Sequence, residues 1–369
     1  MGNAQTASRT REGDKSGTGR DCLGRHTVSL SGSPDAGGRR PVTAMYIREI
    51  RDQERSDGER SMTWRSSGKE PFVFSVDSPC NLVGVHANLM EEALRPEERF
   101  VHLLYSPIYP APEAPFGIRA HPSSHAVAIT DHRFIISEDR HVEGTSPTIR
   151  SIPFPRVLCL DLGNALLLGW FVVRFVDVGG PACASLLYTA TGRHHFESLV
   201  RKYRAITAPV RRGTATARMD WSDIWAHAPR TQVNQLRSLI MEGEHPVRLI
   251  RSWERWGSER RKRKRRPVCL ATDGILLLTD FGVIYAVDEP HARPDAHSYG
   301  VNVSCIPLDA LRQARLMEKE GHATFLQCLQ LVLGRDGATA HVEVPIGAES
   351  AGEAADLVLS LSRRIPSEE

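Results

Sequence analysis

No apolar run in this 369-residue chain approaches the roughly 18 residues needed to cross a bilayer. The longest, Ala165 to Val173, is followed at once by Arg174 and Asp177. The N-terminus has no apolar core of the secretory kind, so secretion is not expected. No C-x-x-C pair occurs among the seven cysteines at 22, 80, 159, 183, 269, 305 and 328. An odd, scattered set argues against a zinc ribbon and a disulfide framework. It predicts reduced, partly buried thiols in a cytosolic protein. G-x-S-x-G, H-E-x-x-H and G-x-x-x-x-G-K-[ST] are all missing, so the sequence assigns no catalytic residue and no cofactor. His194 and His195 are adjacent and would point about 100° apart on a helix, a poor metal chelate; no metal site is assigned. The net charge of +3 is too small for a global nucleic-acid argument, and nucleic acid is not an expected partner.

What the chain has is the composition of a soluble globular protein, 41% hydrophobic and 25% charged. It also has two similar halves, from Asn81 to Ile206 and from Thr231 to Ile365. Ala128-Ile-Thr-Asp-His-Arg-Phe-Ile-Ile-Ser137 matches Leu270-Ala-Thr-Asp-Gly-Ile-Leu-Leu-Leu-Thr279. Each reads as a strand, a turn at Thr-Asp and a second strand. Asp131 and Asp273 then serve the turn, because Asp bonds the backbone two residues on. Ser151-Ile-Pro-Phe matches Cys305-Ile-Pro-Leu, and Pro suits a strand start or edge. Glu98 and Glu244 precede matching apolar segments.

Each half closes on a helical pattern. Phe196, Leu199, Val200 and Tyr203 fall at i, i+3, i+4, i+7, as do Ala354, Leu357, Val358 and Leu361. Ser350 and Glu353 have capping-box spacing. Leading helices are expected around Leu82, His86, Leu89 and Met90, and around Val233, Leu236, Leu239 and Ile240. Many short strands closed by one helix suggest a mainly β fold of two barrels or strongly bent sheets, each plugged by its C-terminal helix.

The blocks His125–Ser137, Ser151–Phe154 and Phe196–Arg204, with Cys269–Leu278, Cys305–Leu308 and Leu357–Arg364, resemble the pleckstrin-homology superfold in its bacterial PH-like and GRAM-like forms. The resemblance covers about two thirds of the chain. It implies tandem PH-like modules at 81–206 and 231–365, a linker at 207–230 and a binding role without a specified ligand.

Arg260, Arg261, Lys262, Arg263, Lys264, Arg265 and Arg266 form the sharpest local signal. Like charges repel, so the run is expected to be an open loop. In pleckstrin-homology domains this first strand-to-strand loop is where basic residues meet inositol phosphates, so the resemblance implies an anion- or lipid-binding role. Anionic membranes attract such clusters with about 1 kcal/mol per basic residue. Trp253 and Trp256 just before the run suit the membrane–water interface. A plain solvated loop, a nuclear-import or nucleic-acid patch and a contact for an acidic protein surface remain open readings. The equivalent loop of the first half, from Tyr109 to Gly117, is proline-rich.

Residues 1–70 read as a disordered polar and basic tail. Met1-Gly-Asn-Ala-Gln-Thr6 fits acylation of Gly2, which basic residues would reinforce at a membrane. Met45 and Met62 are alternative starts. Between the halves, Thr207 to Arg218 has linker composition, and Trp221 and Trp225 share a helix face. The expectation is a non-enzymatic cytosolic adaptor, peripheral at a membrane when the basic loop meets anionic lipid. A protein–protein scaffold and an enzyme with an unrecognised site are the alternatives.

Overall fold

The computed structural model describes residues 73–109, 114–120, 122–140, 144–208, 220–261, 264–290, 299–321 and 324–362, with the backbone alone at 115, 223, 227, 259–261, 264–266, 319–321, 324–326 and 348. The chain is mainly β, with antiparallel sheets and few helices. The first half runs β1 (Phe74–Ser75), α1 (His86–Ala93), β2 (Phe100–Ser106), β3 (Ser124–Thr130), β4 (Arg133–Asp139), β5 (Thr148–Pro153), β6 (Val157–Ala165), β7 (Leu168–Asp177), β8 (Gly180–Thr189) and α2 (Arg193–Thr207). After α3 (Trp221–His227), the second half runs α4 (Arg230–Leu239), β9 (Pro246–Ser252), β10 (Arg255–Arg261), β11 (Lys264–Ala271), β12 (Gly274–Thr279), β13 (Gly282–Asp288), β14 (Gly300–Pro307), β15 (Leu311–Gly321), β16 (Thr324–Arg335), β17 (Ala338–Ile346) and α5 (Ala351–Ser362).

The two halves repeat one order. A 3-10 turn follows the Ile-Pro pair in each, at Phe154–Arg156 and Leu308–Ala310, and each next strand begins with a bulge. Another 3-10 turn leads into each closing helix. The helical stripes follow their spacing: Phe196, Leu199, Val200 and Tyr203 are buried, as are Ala354, Leu357 and Leu361, while Val358 packs at the rim.

The Thr-Asp match shifts by one element. In the first half, Thr130 Oγ1 accepts the backbone N–H of His132 and Arg133, both at 3.1 Å, and donates to Arg133 O at 3.3 Å. The residue that does the same in the second half is Thr279, not Thr272. Its Oγ1 accepts from Phe281 and Gly282, both at 3.1 Å, and donates to Gly282 O at 3.0 Å. Thr130-Asp131 therefore corresponds to Thr279-Asp280. Threonine, rather than the aspartate expected, ties this turn. Thr272-Asp273 instead lies at a bend between β11 and β12.

The sheets do not close. The first five strands lie in the order β1-β2-β3-β4-β5, and β15-β16-β17 form a three-stranded sheet. The central sheet has seven strands in the order β8-β7-β6-β14-β13-β12-β9. Its middle pairing, β6 with β14, joins the two halves antiparallel from Leu160↔Cys305 to Ala165↔Gly300. The strands alternate between two cores, as a pleated strand must. Ile275, Leu277, Ile284 and Val303 face a cluster with Phe134, Phe171 and Phe196. Leu276, Leu278, Val283 and Tyr285 face one with Leu329, Leu331 and Leu357. Burial on both faces is why Ile275 to Leu278 reads as an unbroken apolar run. Each such buried side chain contributes about 1.5–3 kcal/mol.

Polar side chains fix the register of the seam. Trp170 Nε1 donates to Asn302 Oδ1 at 2.8 Å, Asn302 Nδ2 to Ser304 Oγ at 3.3 Å, and Ser304 Oγ to Asp161 Oδ1 at 2.6 Å. Arg174 Nε closes the chain on Asp161 Oδ2 at 2.5 Å. Gly163 lies against the Trp170 indole, where an added Cβ would come within 2.2 Å of the ring.

Candidate functional site

The basic run is not an open loop. Its backbone continues the hairpin that β9 and β12 begin, as a second ribbon of β10 and β11. Arg261 pairs with Lys264, Arg260 with Arg265 and Glu259 with Arg266. Backbone pairing outweighs charge repulsion here because a two-stranded ribbon satisfies its own N–H and C=O groups. Lys262 and Arg263 lie outside the described residues. Like charges opposite one another destabilise a pair, a cost that the Arg261–Lys264 and Arg260–Arg265 pairings carry.

A polar bracket sets the ribbon's root. Asp273 Oδ1 accepts the Glu254 backbone N–H at 2.9 Å, and Ser252 Oγ donates to Thr272 O at 3.1 Å. Gln232 of α4 donates to both Asp273 O and Asp288 Oδ1 at 3.0 Å. Asp273 thus holds the bend from β9 into β10. Trp253 is exposed, with the Arg251 guanidinium 3.7 Å above its ring. Burial lowers the pKa of Arg251. Trp256 turns back instead, its Nε1 bonded to Glu254. Arg255 reaches Glu349 at 3.0 Å and ties the root to the turn before α5.

The other sequence candidates are dispersed. Gly2 and the tail lie outside the described residues, as do 110–113 of the proline-rich loop and most of the linker. The rest of that loop covers a sheet face: Ala114 and Ile118 are buried, and Phe116 sits 5.8 Å from Trp170. Trp221 and Trp225 stack at 5.1 Å and pack on the first core, and Trp221 Nε1 donates to Glu244 O at 3.2 Å. His194 bonds Thr191 O and His195 bonds Ser75 Oγ, both at 3.1 Å.

A cavity of about 200 Å3 opens where the halves meet, lined by Tyr203, Arg204, Phe281, Cys305 and Asp309. Its charged groups are already paired. Arg204 bonds Glu244 at 2.5 Å, and Asp309 pairs with Arg335 at 2.6 Å. Burial pushes the Cys305 thiol up to about 11, which keeps it protonated and a weak nucleophile.

The seam network and the Arg204–Glu244 pair are what sequence reading missed. The available signal was polar residues inside apolar runs, such as Asp161 in Val157-Leu-Cys-Leu-Asp-Leu and Asn302 in Val301-Asn-Val. No protein-family model matches the chain, and no curated protein matches it either.

Proposed function

We propose that the chain is a non-enzymatic adaptor made of two pleckstrin-homology-like units, which docks on an anionic surface through the β10–β11 ribbon. The observation that carries this reading is the basic run's position. It lies on a hairpin extension whose two strands pack chiefly on each other, with cationic residues directly opposite one another. In each half a run of antiparallel strands, a 3-10 turn after the Ile-Pro pair, three further strands and a closing helix follow in the same order, which supports the PH-like reading. The paired charges of the inter-repeat cavity support a binding role over catalysis.

The test is vesicle co-flotation of wild type and a variant with Arg261, Lys262, Arg263 and Lys264 changed to Ala. Wild type should float with vesicles containing phosphatidylserine, and float less as salt rises, because exposed charge is screened over about 8–10 Å near physiological ionic strength. The variant should stay in the soluble fraction. Equal flotation of both proteins, or none for wild type, would reject the reading.

A further inference from the structure

At one end of the seven-stranded sheet, large apolar side chains stand in solvent. Leu166 and Leu167 form the two-residue turn between β6 and β7 and are 69% and 77% exposed. Tyr299, just before β14, is 64% exposed. The register brings them together, because Ala165 pairs both with Leu168 across the turn and with Gly300 across the seam. Leu166 also has a φ of 53°. Two-residue hairpin turns put Gly, Asn or Asp at such positions, since a bulky side chain is strained there. Leucine is thus kept where both solvent and backbone disfavour it. Strain of this kind concentrates at functional sites.

The basic ribbon leaves from the same end. Neighbouring strands are antiparallel throughout the sheet, so β6, β13 and β9 end where β14 and β12 begin. β9 ends at Ser252 and β12 begins at Gly274, the two points from which the ribbon departs. The apolar turn and the ribbon's root are four strand spacings apart, about 19 Å along the sheet. Exposed Trp253 marks the root.

We infer that this end of the sheet is a membrane-docking edge, on which Leu166, Leu167 and Tyr299 enter an anionic bilayer while the ribbon meets its headgroups. The inference rests on the anionic-surface reading and adds to it the class of surface and an insertion turn from the first half. Charge alone would suit an acidic protein equally. An apolar turn flanking a basic cluster supplies the two signals that peripheral membrane binding requires, and Tyr and Trp favour the interface.

The experiment compares wild type, Leu166→Asn with Leu167→Gly, and the four-residue ribbon variant in flotation with phosphatidylcholine vesicles containing phosphatidylserine. Asn tolerates the positive φ at 166 and Gly accepts any φ at 167, so that variant should resist urea about as well as wild type. It should nevertheless bind vesicles at least about tenfold more weakly, because two apolar side chains no longer leave water. Undiminished binding by the turn variant overturns the insertion edge. If the ribbon variant has meanwhile lost binding, the anionic-surface reading survives. Wild type that fails to bind overturns both. A wild-type dimer in gel filtration that the turn variant converts to monomer makes a second copy the occupant, and the inference falls.

Discussion

The two halves solve one packing problem with different arginines. In the first, Glu98 Oε2 accepts the Arg95 N–H at 3.2 Å and its carboxylate meets Arg133, which also donates to Ala93 O at 2.8 Å. In the second, Glu244 Oε2 accepts the Met241 N–H at 2.9 Å and its carboxylate meets Arg204, which also donates to Leu239 O at 2.5 Å. Each guanidinium thus joins a leading helix's last carbonyl to the glutamate after it. Arg133 comes from the same half, whereas Arg204 comes from the closing helix of the other half. The position equivalent to Arg133 is Gly282, where an added Cβ would lie 2.7 Å from Ile306 O. Losing the local side chain leaves that site open to the neighbour. An ion pair that holds one unit together in the first half holds two units together in the second.

The largest test of that contrast removes each arginine. Arg204→Met leaves Glu244 buried without its cation, and breaking such a pair costs about 3–5 kcal/mol. The midpoint of urea unfolding should fall, and hydrogen-exchange protection should weaken first in α2 and α4, which the lost contact joined. Arg133→Met should cost a similar amount but weaken protection first in α1 and β2–β5. Protection lost in the same elements for both variants would remove the distinction.

Acid should next set the halves apart. Burial pulls His125 in the first half down to about 4, against the opposing pull of Glu138 and alongside the repulsion of His86 and Arg140. The folded value lies below the unfolded 6.5, so the unfolded chain binds the proton first. Stability is therefore present above pH 6.5 and lost as pH falls from there towards 4. The full shift corresponds to about 3 kcal/mol. Hydrogen exchange from pH 7 to 5 should show protection lost first in β2–β4, and His125→Gln should remove part of the dependence, the rest coming from His102 of β2, which burial also pulls down to about 4. Protection lost uniformly across both halves would refute the assignment.

At the seam, Asn302→Leu strands the Trp170 N–H and should cost about 1–3 kcal/mol, read as a lower urea midpoint. Smallest is Gly282→Ala, about 1 kcal/mol once the Ile306 carbonyl shifts to admit the Cβ. A neutral result there would show that space alone did not exclude the local arginine.

Periodicity carried the helices because a buried stripe must recur every three to four residues, as Phe196 to Tyr203 does. The turn was harder. Thr272-Asp273 and Thr279-Asp280 lie seven residues apart in one segment, and each adjoins an apolar run. Local composition cannot choose between them; the hydrogen bonds of Thr279 do. The basic run was visible, but its strand form was not, since repulsion argues for an open loop until the continuing hairpin is known.

By itself the sequence determined the mainly β character, the closing helices and the cationic run. Those depend on patterns among near neighbours. Tertiary structure alone decided that β6 pairs with β14, that Arg204 replaces a local arginine, and that Leu166–Leu167 shares an end with the ribbon. Strand edges and buried charges choose partners far away in sequence, and that choice depends on which groups the completed fold leaves unpaired.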